Sequence, residues 1–148
     1  MIRPIDAADH AVWRELWGQY FVFYETKPLP EVFDTTWRRL LDPVELVWGA
    51  VAVESGRPVG LVHYVFHRTT WAVEDTCYLQ DLYVSPDQRG RGHARALIEY
   101  VAAEATQKSC IRVYWQTRDT NVTAQALYDL VAQRSGFIQY RLPLTGKV

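Results

Sequence analysis

The sequence is poor in cysteine, in excess charge of either sign and in long apolar runs. It has two cysteines among 148 residues, and 16 basic side chains nearly balance 17 acidic ones. Two thiols cannot build a disulfide scaffold, and balanced charge gives no basic surface for nucleic acid. No stretch approaches the roughly 18 apolar residues that a membrane span needs, and the charged, proline-containing residues 1–6 do not resemble a signal peptide. We therefore predict a cytoplasmic protein that binds neither membrane nor nucleic acid.

The composition that is present is typical of a globular protein. Apolar residues make up 49% of the chain and charged residues 22%, without a repeat or a low-complexity run. A chain of this length buries most of its apolar surface without a metal or a disulfide. We predict one domain over residues 1–148. Cys77 and Cys110 lie in apolar surroundings, which predicts reduced, buried thiols without a catalytic role.

Residues 78–105 are the most informative stretch. The run 79–84 is apolar, short and rich in strand-forming residues, which is typical of a buried strand. From Leu97 to Ala105, apolar side chains recur every three or four residues, as on an amphipathic helix. Gly90 and Gly92 therefore lie where a strand turns into a helix.

This turn predicts an anion site. The first turn of a helix has backbone N–H groups without an intrahelical partner and the positive end of the helix dipole. Gly90, Gly92 and Ala94 let a phosphate approach the backbone, and Arg89 and Arg91 add positive charge. A pyrophosphate fits this description best. The alternative is that the glycines serve only the turn.

Two other phosphate-binding motifs fit poorly. A Walker loop needs lysine after its last glycine, and here His93 follows Gly92. A dinucleotide fingerprint needs an acid at the end of the next strand, and that strand ends in Gln116 and Thr117. A nucleotide-binding domain is therefore the poorest of the interpretations.

Two separated motifs resemble those of the GNAT superfamily of acetyl-CoA-dependent N-acetyltransferases. The first is LQDLYV at 79–84 followed by RGRGHA at 89–94, which is similar to the loop that holds the pyrophosphate of coenzyme A. The second is Asn121, then ALY at 126–128 and Gly-Phe at 136–137. Both occur in the expected order, and the resemblance covers nearly the whole chain. The first motif is most similar to the polyamine and thialysine acetyltransferases.

The predicted elements have the order β-α-α-β-β-β-α-β-α-β. Strands over 46–54 and 58–69 form a hairpin, a second helix begins near Asp34, and the last two strands cover 111–117 and 137–144. This order predicts a mixed, mainly antiparallel sheet with helices on both faces. The resemblance implies the GNAT fold, a six- to seven-stranded sheet flanked by four helices, whose fourth and fifth strands diverge to admit the pantetheine arm.

The resemblance also implies acetyl-CoA as co-substrate and a set of residues that hold it. Backbone groups at the end of the buried strand would hold the pantetheine and polarise the thioester. The glycine loop would hold the pyrophosphate, and Asn121 would support the reactive end. The implied residues are Leu82, Tyr83, Val84, Arg89, Gly90, Arg91, Gly92, His93, Ala94, Arg95 and Asn121.

The same resemblance implies roles in catalysis. Tyr128 would be the general acid, because a phenol of pKa about 10 can protonate a departing thiolate, although a core aromatic is the alternative. In related enzymes a glutamate precedes the aspartate of this strand, and here Gln80 takes its place. A neutral amide accepts no proton, so Asp81, Glu74 or a water chain would act as base, or the amine arrives deprotonated. We predict Asp81.

The acceptor is predicted to be a small primary amine, such as a polyamine or a lysine-like amino acid. By resemblance, the end of the aromatic-rich first helix forms one wall of the acceptor site, so Tyr24, Glu25 and Gln80 are predicted to bind substrate. A protein lysine or N-terminus is the alternative acceptor. The carboxylates that favour a cationic acceptor are Glu25, Glu31, Asp34, Glu74 and Asp75.

The sequence also bears on metal binding, on the choice between an enzyme and a binding module, and on assembly. His63 and His67 would stand about 13 Å apart on a strand, too far to share one zinc, so we predict no metal site. A non-catalytic coenzyme A module is an alternative to an enzyme, and Gln80 is the feature that favours it. Superfamily members are often dimers, and a strand over 137–144 would offer an edge for a homodimer.

Overall fold

A computed structural model of the chain describes residues 1–146. The chain divides into one unit over Met1–Trp115 and a second that begins at Gln116. Short 3-10 turns lie at Ala7–Asp9 and Pro86–Gln88. The strands are β1 (Ile2–Pro4), β2 (Val47–Glu54), β3 (Arg57–His67), β4 (Thr76–Val84) and β5 (Val113–Tyr114). The helices are α1 (His10–Phe23), α2 (Pro30–Leu41), α3 (His93–Gln107) and α4 (Val122–Val131).

The sheet is mixed and mainly antiparallel, as predicted. Its order is β1-β2-β3-β4-β5, with antiparallel pairs up to β4 and a parallel pair between β4 and β5. The predicted hairpin is confirmed as β2 and β3, and the four helices of the predicted fold are present. Five strands occur within residues 1–146, fewer than the six or seven implied by the resemblance.

The starts of α1 and α2 each depend on a residue that favours the beginning of a helix. Asp6 accepts a hydrogen bond from the Ala8 backbone N–H at 2.8 Å and begins the turn that continues into α1. The prediction that α2 begins near Asp34 is wrong, because Pro30 is its first residue and Leu29 its N-cap. Proline suits this position, since its missing N–H has no intrahelical partner there and its φ is already helical.

The sheet is buried on both faces, which fixes the direction of every side chain on its central strands. Trp13 and Trp17 of α1 pack with Val51 and Leu61 on one face. The neighbouring residue Gly60 points to the opposite face, where α3 buries its apolar stripe. That stripe matches the sequence pattern and comprises Leu97, Ile98, Val101 and Ala105.

The last two predicted strands are largely wrong. The strand expected over 111–117 is only Val113–Tyr114, and it pairs with Cys77 and Tyr78 of β4. Residues 137–144 lie in no strand or helix. Their alternation of apolar and polar residues suits a strand, but a strand also needs a neighbour to satisfy its backbone groups, and a local pattern does not specify that neighbour.

Gly60→Ala is expected to destabilise the sheet. A Cβ atom there would lie 2.9 Å from the Tyr83 backbone oxygen, across the β3–β4 ladder. We expect the free energy of unfolding to fall by about 1–3 kcal/mol, measured by urea unfolding. Gly18→Ala is the control, since a Cβ within α1 meets nothing within 4 Å and should add about 0.5–1 kcal/mol. Equal free energies of unfolding in the two variants would contradict the predicted steric conflict at position 60.

Candidate active site

Strand β4 is open along one edge. On its β3 side it is paired from Thr76 to Val84, but on the β5 side the register covers only Cys77 and Tyr78. Among residues 1–146, no strand pairs with the rest of β4 on that side. The Val84 backbone oxygen accepts from Arg89 Nε, and the other backbone groups of residues 79–84 on this edge, which no strand of the described residues pairs with, are available to an extended ligand.

A β-bulge interrupts the same strand at Gln80. Asp81 pairs with His63 and Leu79 pairs with Tyr64, so the register skips Gln80. The bulge leaves Gln80 exposed while Asp81 is buried. Since bulges redirect neighbouring side chains and peptide groups, this one sets the local shape of the open edge.

Asp81 is held inside the protein by hydrogen bonds. It is 7% exposed, and its Oδ2 accepts from Trp17 Nε1 at 3.2 Å and is joined to His63 Nδ1 at 2.8 Å. The Tyr20 hydroxyl is also hydrogen-bonded to Asp81. Burial raises the pKa of Tyr20, and the negative charge of Asp81 raises it further, so Tyr20 is a hydrogen-bond donor at neutral pH.

The turn that is predicted to bind an anion leads into α3. Gly92 is the N-cap residue, with φ of 84° in the left-handed region, and no side chain caps the helix. Gly90 also has a positive φ, of 74°. Glycine adopts this conformation without strain, and the N–H groups of the first turn stay directed towards a ligand.

The cationic side chains around this turn have different surroundings. Arg89 donates from Nε to the Val84 backbone oxygen at 3.0 Å, and its guanidinium lies 5.6 Å from the centre of the Tyr83 ring. Arg95 pairs with Glu99 at 2.8 Å. Arg91 is exposed, and His93 Nε2 lies 3.7 Å from Glu54. Arg89 thus joins the loop to the end of β4, and Arg91 remains accessible to an anion.

The end of α1, where the acceptor wall is predicted, lies near Asp81. Tyr24 caps the C-terminus of α1 and its ring centre is 4.8 Å from that of Tyr20, which is bonded to Asp81. Glu25 follows and is exposed. The structure therefore places Tyr24, Tyr20 and Asp81 in one continuous group.

Two carboxylates proposed to attract a cation already have partners. Asp34 pairs with Arg14 and Asp75 pairs with Arg68, both at 3.0 Å. Their charge is largely offset locally, which weakens the argument for attraction at these two positions. Within residues 1–146, no group of three or more histidine, cysteine or acidic side chains is arranged to hold a metal ion.

Asn121 and Tyr128 belong to the second unit. Asn121 is the N-cap of α4, as predicted, with Oδ1 accepting from the Ala124 backbone N–H at 3.5 Å and Nδ2 donating to Thr117 at 3.3 Å. Tyr128 lies about two turns later and is half-buried. Seven residues apart on one helix, the two side chains share a face.

Sequence reasoning missed the residues around Asp81. His63 was considered only as a metal ligand, and Trp13, Trp17 and Tyr20 only as part of an aromatic-rich helix. A histidine inside an apolar strand was the available signal, because a fully buried histidine needs hydrogen-bond partners. The partner itself follows from the β3–β4 register, which the sequence does not show.

An open strand edge followed by an uncapped, glycine-containing helix start is suited to an extended, phosphorylated ligand. The model of the acetyltransferase (GNAT) family matches residues 10–131. The chain therefore belongs to the GNAT family of acetyltransferases and is an acyltransferase. Members of this family use acetyl-CoA.

Individual acetyltransferases are similar to this chain in sequence or in structure. A D-amino-acid N-acetyltransferase of Saccharomyces cerevisiae is 38% identical over 143 residues, which cover 95% of this chain and 89% of the yeast protein. A thialysine N-epsilon-acetyltransferase of Caenorhabditis elegans is 35% identical over 85 residues, 57% of this chain and 52% of the worm protein. The structure of an aminoglycoside N-acetyltransferase in complex with CoA superposes with a TM-score of 0.84 at 17% identity, covering 98% of this chain and 95% of that one. The last likeness shows the fold.

Gly92→Ala is expected to weaken acetyl-CoA binding. A left-handed alanine costs about 1–2 kcal/mol, and relief of that strain turns the first N–H groups of α3 away from the phosphates. We expect roughly a tenfold higher dissociation constant by calorimetry. Gly56→Ala in the β2–β3 turn is the control, since its φ of 78° and open surroundings match those of Gly92. Equal weakening in both variants would show that general strain, rather than the anion site, is responsible.

Proposed function

We propose that this chain transfers an acetyl group from acetyl-CoA directly to the primary amine of a small cationic molecule. The observation that supports this most is the open β4 edge, which is followed, after the 3-10 turn at Pro86–Gln88, by the glycine turn of α3. An extended pantetheine arm and a pyrophosphate need these two features in this order. The yeast and worm relatives, whose names specify small amines, support the acceptor class.

The residues proposed to bind the donor lie at the end of β4, at the start of α3 and at the start of α4. Backbone groups of Leu82, Tyr83 and Val84 would bind the pantetheine arm and polarise the thioester carbonyl. Acetyl-CoA supplies the activated acetyl group. The pyrophosphate would be bound by the first turn of α3 and its approach, which comprise Arg89, Gly90, Arg91, Gly92, His93, Ala94 and Arg95. Asn121 would support the coenzyme near its reactive end.

The proton transfers are assigned to two residues. Asp81 would take the proton that the acceptor amine loses, and because it is buried, the Tyr20 hydroxyl is the polar group that connects it with Tyr24. Tyr128 would protonate the departing thiolate from its place on α4. Gln80 cannot act as a base, but its exposed amide is suited to bind the acceptor.

The acceptor is proposed to be an amino acid or a polyamine with one accessible amine. Tyr24, Glu25 and Gln80 would contact it, with the tyrosine ring offering its face to the cation or to the apolar part of the molecule. D-amino acids and thialysine, named for the relatives, are the first molecules to test. A protein lysine or N-terminus is the alternative acceptor, and coenzyme A binding without transfer is the alternative function.

The direct test is thiol release from acetyl-CoA. The purified chain is assayed with D-amino acids, thialysine, lysine, polyamines, an aminoglycoside and a basic peptide. We expect turnover with one class of small amine, identified by mass spectrometry of the acetylated product. Thermal stabilisation by acetyl-CoA together with no turnover on any acceptor would instead favour a binding module.

Two substitutions test the proposed proton transfers in the same assay. Tyr128→Phe and Asp81→Asn should each lower kcat by about 10²- to 10⁴-fold, the usual contribution of an acid or a base. Acetyl-CoA affinity should change little, because neither side chain is assigned to the phosphates. Full turnover in either variant would remove that residue from the mechanism.

We also propose that the protein is a cytoplasmic homodimer. The supporting observation is the segment 137–144, in which Phe137, Ile138, Tyr140, Leu142 and Leu144 are each at least 77% exposed. An apolar run of this extent usually marks an interface, and its two-residue alternation suits pairing with the same chain. No helix within residues 1–146 is long and apolar enough to cross a membrane.

Light scattering tests the dimer. We expect twice the chain mass of 17.2 kDa, and a single-chain mass after the paired substitution Phe137→Asp and Leu142→Asp. Val73→Asp, at another highly exposed apolar position, is the control and should leave the mass unchanged. A wild-type chain that stays monomeric at micromolar concentration would rule the dimer out.

A further inference from the structure

A connected set of buried hydrogen bonds crosses from α1 to β4. Trp13 Nε1 donates to His63 Nε2 at 2.9 Å, His63 Nδ1 lies 2.8 Å from Asp81 Oδ2, and Trp17 Nε1 donates to the same Oδ2 at 3.2 Å. His63 is 2% exposed, and both indoles are buried. Water therefore has little access to any of these polar atoms.

The indoles determine the protonation of the histidine. An indole N–H can only donate, so His63 Nε2 must present its lone pair to Trp13. The ring proton then lies on Nδ1 and is donated to Asp81. His63 is accordingly a neutral imidazole, and Asp81 is the acceptor of this bond. A doubly protonated ring would lose its bond to Trp13 and bring two N–H groups together in a dry site.

This hydrogen bond lies at the β-bulge. His63 and Asp81 are register partners, and the skipped residue next to them is Gln80. The residues that follow Asp81 form the open edge of β4. Asp81 therefore connects the buried hydrogen bonds with the backbone of the bulge.

We propose that His63 is a positioning residue for acetyl transfer: its Nδ1–H holds the Asp81 carboxylate, and with it the bulge at Gln80, in the arrangement that the reaction needs. The proposal rests on the proposed function. Loss of the donor leaves a buried carboxylate short of one hydrogen-bond partner, so the carboxylate is no longer held in one position. This change affects the step that needs Asp81 more than it affects the distant pyrophosphate turn.

The test compares His63→Leu with His63→Asn. Leucine fills similar volume without a donor, whereas the asparagine Nδ2 stands where the imidazole Nδ1 stood and can donate to Asp81. We expect His63→Leu to lower kcat by about 10- to 100-fold, with the KM for acetyl-CoA within about threefold of wild type. His63→Asn should recover most of that loss.

Val51→Ala is the matched control for stability. Val51 is fully buried in the cluster that contains Trp13 and Trp17, but it lies on β2, which pairs with β1 and β3 and not with β4. It should lower the melting temperature and keep kcat within about threefold of wild type. If kcat falls equally in Val51→Ala and His63→Leu, or if His63→Leu keeps wild-type kcat, His63 is only structural and the proposal is overturned.

A second measurement needs no variant and no turnover. Nitrogen-15 NMR of the wild-type imidazole should show a proton on Nδ1 and none on Nε2 of His63. The opposite tautomer, or a charged ring at neutral pH, would overturn the assignment. The absence of turnover in wild type would contradict the proposed function itself, whereas wild-type turnover that persists in His63→Leu overturns the positioning role alone.

Discussion

The hydrogen bond between His63 and Asp81 is the constraint on which this side of the sheet depends. A carboxylate away from water is costly unless donors surround it, and here every donor is a neutral group: two aromatic N–H groups and a hydroxyl. Trp13 and Trp17 are four residues apart, so one face of α1 supplies both indoles to the network. The position of the helix and the register of the two central strands are thereby fixed together.

That constraint separates two kinds of recognition in the site. In the proposed function the donor would be bound by peptide groups, namely the open edge of β4 and the first turn of α3, and these depend on backbone geometry. The acceptor would be bound by side chains at the end of α1, where Tyr20 and Tyr24 connect the surface with Asp81. Substitution at the end of α1 can therefore alter the acceptor while the backbone that binds the donor stays in place.

The features that the sequence predicted correctly are determined by residues that lie close together in the chain. The apolar stripe of α3, the caps at Asp6 and Asn121 and the glycine turn each depend on residues within a few positions of one another. The network around Asp81 depends on a register shift between two strands, and no pattern in either strand alone reveals it. The strand predicted over 137–144 was wrong for a related reason. The alternation of apolar and polar residues shows that the segment can pair with a strand, but it does not specify which strand.

The open edge of β4 has a consequence for how the protein can be inhibited. Peptide groups that lie unpaired along a strand can bind another extended backbone, and on the proposed function the same groups would bind the pantetheine arm. A short peptidomimetic with the hydrogen-bond spacing of a strand would compete for that edge without imitating the nucleotide. Since such a compound contacts the main chain, replacement of the side chains at 82 and 83 would give little resistance to it.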